Sequence, residues 1–242
     1  MYSSLLLLSP FIFNGLLCAT YFMFKNTNIY ISPKYHNYNM ALQSSVLLGI
    51  TLYDYVSVSN THNIPLTNFI QISHVGAYTH QQWNNYWILS VFLLSKLFEW
   101  IDTILLVINK KKIQALHWWH HSTIVWAFYT GFFISSVYTI GILNNIIHIV
   151  MYLYYADVKC IKPYAKYLTS LQIVQLFSGA YMNYLSYYNN DSSVYKLFSI
   201  FNGSICLSYG FMFLQFFNKK YGTQKTIRKI NENKGKQIYS IA

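Results

Sequence analysis

Residues 83–108 read WNNYWILSVFLLSKLFEWIDTILLVI. The run exceeds the roughly 20 apolar residues a helix needs to cross a bilayer, yet it holds Lys96, Glu99 and Asp102. Ionisable groups at that depth are expensive and persist when they are paired or functional. The segment therefore predicts a transmembrane helix whose polar face meets other helices instead of lipid. The rest of the chain agrees: of 242 residues, 54% are apolar and only 10% charged, and the mean hydropathy is +0.27. Soluble domains carry about 25% charged residues, so a water-covered globule is excluded, and this apolar content also excludes a disordered chain. The 24 Tyr and 6 Trp suit membrane interfaces and a lumen lined with amphipathic rings. Three scattered cysteines, Cys18, Cys160 and Cys206, encode neither a disulfide framework nor a thiolate zinc site.

Outward from that stretch, seven runs have the length to span: residues 5–24, 38–58, 83–108, 116–135, 137–155, 168–187 and 197–217. The expected fold is an all-α polytopic bundle of about seven transmembrane helices in one unit, residues 1–242, with a basic tail over 218–242. The first run is expected to be a retained helix, because no basic segment precedes it and Lys25 follows it. A net charge of +11 raises the possibility of nucleic-acid binding, but its placement argues otherwise. If the spans alternate, 15 of the 17 basic residues fall on one side, Lys196 flanks the other, and Lys96 is inside a span. The positive-inside rule then puts the amino terminus outside and the tail in the cytosol. The tail reads as a topology and lipid-headgroup determinant.

Polar residues inside the spans carry the chemistry. Lys96, Glu99, Asp102 and Thr103 are three or four apart and share a helix face; a self-neutralising structural cluster is one reading of them. His117, His120 and His121 lie on one face at the entry to the fourth run, spaced for metal binding or for acid–base and nucleophilic work. Asn144, His148, Tyr152 and Tyr155 form a stripe along the fifth run, and Thr169, Gln172 and Gln175 follow on the sixth. Glutamines so placed also serve as glue between helices. His36, His62, His74 and His80 lack such company and read as ordinary surface residues.

In order, the motifs are Lys-x-x-Glu-x-x-Asp-Thr from Lys96, His-x-x-His-His from His117, His-x-x-Met-Tyr-x-Tyr-Tyr from His148 and Thr-x-x-Gln-x-x-Gln from Thr169. The set resembles the ELO family of very-long-chain fatty-acid elongases, 3-ketoacyl-CoA synthases of the endoplasmic reticulum. Tyr38-Asn39 and the run Lys110, Lys111, Lys112 are also similar to the family. The resemblance implies helices around an acyl-chain tunnel in the endoplasmic reticulum membrane. It implies acyl-CoA and malonyl-CoA as substrates without a cofactor, and the reductases and dehydratase of the elongation cycle as partners. The sequence ends Tyr239-Ser240-Ile241-Ala242, without the dilysine signal many members carry. Trp118 and Trp119 within the His box are similar to the branch acting on saturated and monounsaturated chains.

Condensation of an acyl-CoA with malonyl-CoA, the activity this resemblance implies, needs an activated acyl group, a stabilised enolate oxyanion and a dry channel. No cysteine stands among the motifs, whereas a neutral imidazole can attack a thioester. His120 is the expected nucleophile, His148 the histidine that serves the malonyl half-reaction, and Asn144, Gln172, His117 and His121 the oxyanion donors and orienters. Asp102 or Glu99 would hold a histidine tautomer, Lys96 would pair with them or attract CoA phosphate, and Lys110, Lys111, Lys112 and Lys162 would steer CoA. Tyr152, Tyr155, Thr103 and Gln175 complete the expected substrate site, with no metal. Two other classes compete. A di-iron desaturase or hydroxylase shares the His-x-x-His-His box but needs several boxes, and this chain has 8 His, four of them scattered. A seven-helix receptor or transporter would explain the topology but not the histidine triplet.

Overall fold

The computed structural model describes residues 8–69, 71–73, 75–76, 87–132, 137–189 and 191–222. These residues form seven long helices: α1 (Ser9–Phe24), α2 (Lys34–His62), α3 (Trp87–Ile108), α4 (Ala115–Phe132), α5 (Val137–Tyr155), α6 (Ala165–Asn189) and α7 (Ser193–Phe217). A 3-10 turn, Lys162–Tyr164, leads into α6, and a π-helical turn, Asn218–Gly222, follows α7. No strand occurs among the described residues. The tail from residue 223, Asn190, residues 5–7, 83–86 and 133–136 of three expected spans, and His74 and His80 lie outside them.

Helix α5 has the bounds its sequence suggested, while α2, α6 and α7 run several residues past their apolar cores, drawing in Lys34, Ala165 and Lys196. Ser193–Gly222 is the one described helix that is both long enough and apolar enough to cross a membrane; α1 and Ile140–Tyr155 are apolar but shorter. Mean hydropathy falls in the others because polar residues occupy their inward faces. Lys96, Glu99, Asn144, His148, Asn183 and Asn202 are all buried, whereas Phe11, Phe22, Leu42, Leu171, Val174, Leu197 and Phe211 are exposed. A polar inside and an apolar outside is the arrangement for which lipid, not water, is the solvent.

Packing fixes which faces turn inward. Helices α6 and α7 form a long antiparallel pair, α2 lies along α5, and α1 packs on α3 and α4. Small residues let α6 and α7 close up: a side chain at Gly203 would come within 3.3 Å of Asn183, and one at Gly210 within 3.1 Å of the Phe177 ring. Phe13 of α1, Trp100 of α3, Val125 and Phe132 of α4, and Tyr209 of α7 belong to one buried cluster.

The basic connections gather at one end. The Asn109 carboxamide accepts from the Ile31 N–H at 2.9 Å and donates to the Ile31 carbonyl at 2.8 Å, stitching the α3–α4 connection to the α1–α2 connection. In the α5–α6 connection, Lys162 donates to Asp157 at 2.7 Å, and that bond, with the ammonium charge, holds the exposed Asp157 carboxyl below its usual range. Lys166 at the start of α6 lies 5.9 Å from the centre of the Phe217 ring at the end of α7.

Candidate active site

A cavity of about 620 Å³ opens between the helices at the basic end. Lys111, Lys112 and Lys220 line its mouth, the sequence motifs line its middle, and Phe92, Phe132 and Ile140 line its far part. Helical periodicity explains why one cavity collects so much of the chemistry. Each motif repeats at three or four residues, so each presents a single stripe, and packing turns the stripes toward a common space.

Helix α3 provides the deepest charges. The Lys96 ammonium donates to Glu99 Oε1 at 2.6 Å and to Asn144 Oδ1 of α5 at 3.1 Å, and sits 4.5 Å from the centre of the Phe128 ring. Glu99 Oε1 also lies 3.2 Å from His148 Nδ1. Lys96 and Glu99 are 2% and 3% exposed, so they form a buried pair with two further polar partners. Such a pair holds register: removing one member of a buried ion pair costs about 3–5 kcal/mol. Its cation is occupied well inside the bundle, which argues against a direct role for Lys96 on CoA phosphate.

Asp102, one turn on, is held from both sides. Its Oδ1 accepts from His36 Nε2 at 2.7 Å and its Oδ2 from the Tyr152 hydroxyl at 2.8 Å. His36, read from the sequence as a surface residue, is thus a partly buried member of the site that links α2 to α3 and α5. Its sequence signal was weak because it stands alone, at the polar start of a helix, outside any spaced group. The neighbouring Tyr38-Asn39 pair is exposed, and Asn37 is the residue of that turn that is buried and lines the cavity.

All three histidines of α4 line the cavity. His117 Nε2 is 2.9 Å from the Thr103 hydroxyl, and its ring lies 4.3 Å from that of His121. His121 is buried, with its ring stacked on Phe13 at 6.3 Å. His120 packs against the Tyr209 ring at 4.8 Å, and its Nδ1 is buried without a hydrogen-bond partner among the described residues. The helix carrying them is fastened by indoles: Trp100 donates to the His121 carbonyl at 2.9 Å, Trp119 to the Ser208 hydroxyl at 2.8 Å, and Trp118 to Asn14 Oδ1 at 2.9 Å. Neither Trp100 nor Tyr209 belongs to a spaced polar pattern in the sequence, so both were legible only as core aromatics.

The other expected residues divide. Asn144, His148, Tyr152, Tyr155, Thr169, Gln172 and Gln175 line the cavity, although among the described residues the Gln172 amide reaches only the Met151 sulfur, at 3.4 Å. Tyr155 is more than half exposed. Lys110 turns away, in a left-handed backbone conformation (φ 54°), with its ammonium 3.4 Å from Asn28 Oδ1, leaving Lys111 and Lys112 at the mouth. Lys162 is taken by Asp157.

Comparison with known proteins gives the same picture. The profile of the ELO: GNS1/SUR4 family matches residues 2–229. Over 153 residues the chain is 37% identical to long chain fatty acid elongase 1 of Caenorhabditis elegans, covering 57% of this chain and 51% of that one. Over 165 residues it is 33% identical to fatty acid elongase 3 of Trypanosoma cruzi, covering 61% and 54%. Over 142 residues it is 34% identical to human very long chain fatty acid elongase 3, covering 54% and 52%. The chain spans about half the length of the curated relatives it matches. With a family profile running over nearly all its residues, and relatives named for fatty-acid elongation, this chain belongs to the ELO: GNS1/SUR4 family.

Proposed function

We propose that the protein is a condensing enzyme of fatty-acid elongation, a very-long-chain 3-oxoacyl-CoA synthase that joins a long-chain acyl-CoA to malonyl-CoA. The observation that carries this reading is His120: it lines the cavity, and its buried Nδ1 makes no hydrogen bond among the described residues. His117 and His148 each have a ring nitrogen engaged; His121 Nδ1 is likewise buried without a partner among the described residues, but its ring is stacked on Phe13 and packed against His117. The His120 imidazole attacks the acyl-CoA carbonyl, the C–S bond breaks, and CoA leaves as its thiolate. Malonyl-CoA then loses CO₂, and its enolate carbon attacks the acyl-imidazole, releasing 3-oxoacyl-CoA and the free imidazole. His148, oriented by Glu99, and Asn144, whose Oδ1 is held by Lys96, are positioned to stabilise the enolate oxyanion. Lys111, Lys112 and Lys220 hold the anionic CoA at the mouth. In the test, protein preloaded with long-chain acyl-CoA releases a burst of CoA before malonyl-CoA is added. Absence of the burst, with product still formed when both substrates are present, replaces the covalent route by direct attack with His120 as base.

The same reading makes the chain a multi-pass protein of the endoplasmic reticulum membrane that spans seven times, with its amino terminus lumenal and residues 218–242 cytosolic. It uses no cofactor or metal, binds no nucleic acid, and works beside the reductases and dehydratase of the elongation cycle. A glycosylation reporter fused after Ala242 should stay unglycosylated; a glycosylated reporter overturns this topology. Stoichiometric iron in the active protein would instead favour the desaturase reading.

A further inference from the structure

The chemistry above occupies the mouth and middle of the cavity and leaves one polar group deeper in unexplained. Beyond the His box the wall becomes apolar, with Phe92, Ala127, Phe132 and Ile140, but Asn202 of α7 lines the same stretch and is only 4% exposed. Its Oδ1 has a weak contact from the Cys206 thiol at 4.0 Å, and its Nδ2 donates to no described residue. Gly131 of α4, also on the cavity wall, makes room for this amide: a Cβ there would stand 2.9 Å from Asn202 Nδ2. At about 1.5 Å of rise per residue, Gly131 lies roughly 16 Å along α4 from His120. A hydrocarbon chain anchored at the His box would pass this amide well along its length.

A buried amide without partners penalises methylenes laid against it, because its water is removed and nothing replaces it. An alcohol at that depth reverses the penalty, since its oxygen can accept from Nδ2 while its hydrogen donates to Oδ1. We infer that Asn202, given space by Gly131, is a recognition point for a hydroxyl carried part-way along the acyl chain. The cavity then favours oxygenated over plain chains of equal length. This rests on the cavity being the acyl tunnel of an elongase. If Asn202 were only glue between helices, its replacement would alter stability but not the choice between chains.

The test uses the full-length protein in lipid vesicles, with radiolabelled malonyl-CoA and acyl-CoAs of one length, either saturated or carrying a single hydroxyl at successive positions. One position is expected to raise kcat/KM over the saturated chain by about tenfold, the scale of one satisfied hydrogen bond. Asn202→Leu, close in size, should remove that preference while still extending the saturated chain. Gly131→Ala, which pushes the amide aside without deleting it, should blunt it. Extension of saturated chains with no favoured hydroxyl position, or a preference that survives Asn202→Leu, overturns the proposal alone. If neither chain is extended, the elongase reading falls and takes this proposal with it.

Discussion

The two halves of the cavity are built on opposite principles. Through the mouth and middle, most charged groups are paired: Lys96 with Glu99 and Asn144, Asp102 with His36 and Tyr152, His117 with Thr103. Toward the far end the wall is hydrocarbon, interrupted by Asn202. Mutual satisfaction makes the first half rigid, because in a low-dielectric interior an incomplete polar network costs more than an apolar core. The second half offers a chain only its volume and the buried Asn202 amide. Within the polar half, Glu99 Oε2 and the Nδ1 atoms of His120 and His121 escape the rule of pairing among the described residues; His120, the imidazole of the two not stacked on Phe13, is the exception we assign to bond-making chemistry.

The comparison breaks most sharply at that exception. His120→Ala is expected to abolish both the CoA burst and product formation, lowering kcat by about 10⁴-fold or more, while the protein still unfolds at the wild-type temperature. Retained turnover would move the chemistry to another histidine. Next comes the network around Lys96. Glu99→Gln leaves a buried ammonium without its counter-charge and should cost about 3–5 kcal/mol in denaturant unfolding, whereas Leu171→Ala on the outward face of α6 should stay within about 0.5 kcal/mol. Equal losses from the two would mean that the pair is not a structural lock. Smaller again, Asn144→Ala should slow condensation by about 10²-fold without silencing it, the usual price of one lost donor at a developing oxyanion. An unchanged rate removes Asn144 from the chemistry. The smallest effect belongs to the mouth: replacing Lys111 and Lys112 together by Ala should raise KM for acyl-CoA several-fold at low salt, and the difference should fade near 1 M salt, where screening acts over about 3 Å. A salt-independent change in kcat would contradict a steering role.

Composition and periodicity alone determined that the chain is helical, that most of its basic residues lie in the connections and the tail, and which stripes of α3, α4, α5 and α6 are polar. These are local properties: a spacing of three or four fixes a face once a helix is granted, and an ion inside an apolar run cannot face lipid. The pairing of stripes was not local. Asp102 had several candidate partners within reach of a helix packing, and the structure joined it to His36, 66 residues away and outside every motif. The carboxylate beside His148 proved to be Glu99, through a contact across two helices. Lys110 and Lys111 are chain neighbours of the same type, and a left-handed turn at Lys110 sends one toward Asn28 and leaves the other at the cavity. Asn202 belongs to none of the spaced motifs, and only packing against the missing side chain at Gly131 gives its amide a place on the cavity wall. Sequence spacing specifies which side of a helix a residue occupies; which residue on another helix it meets depends on crossing angles and axial offsets set by packing along the whole interface.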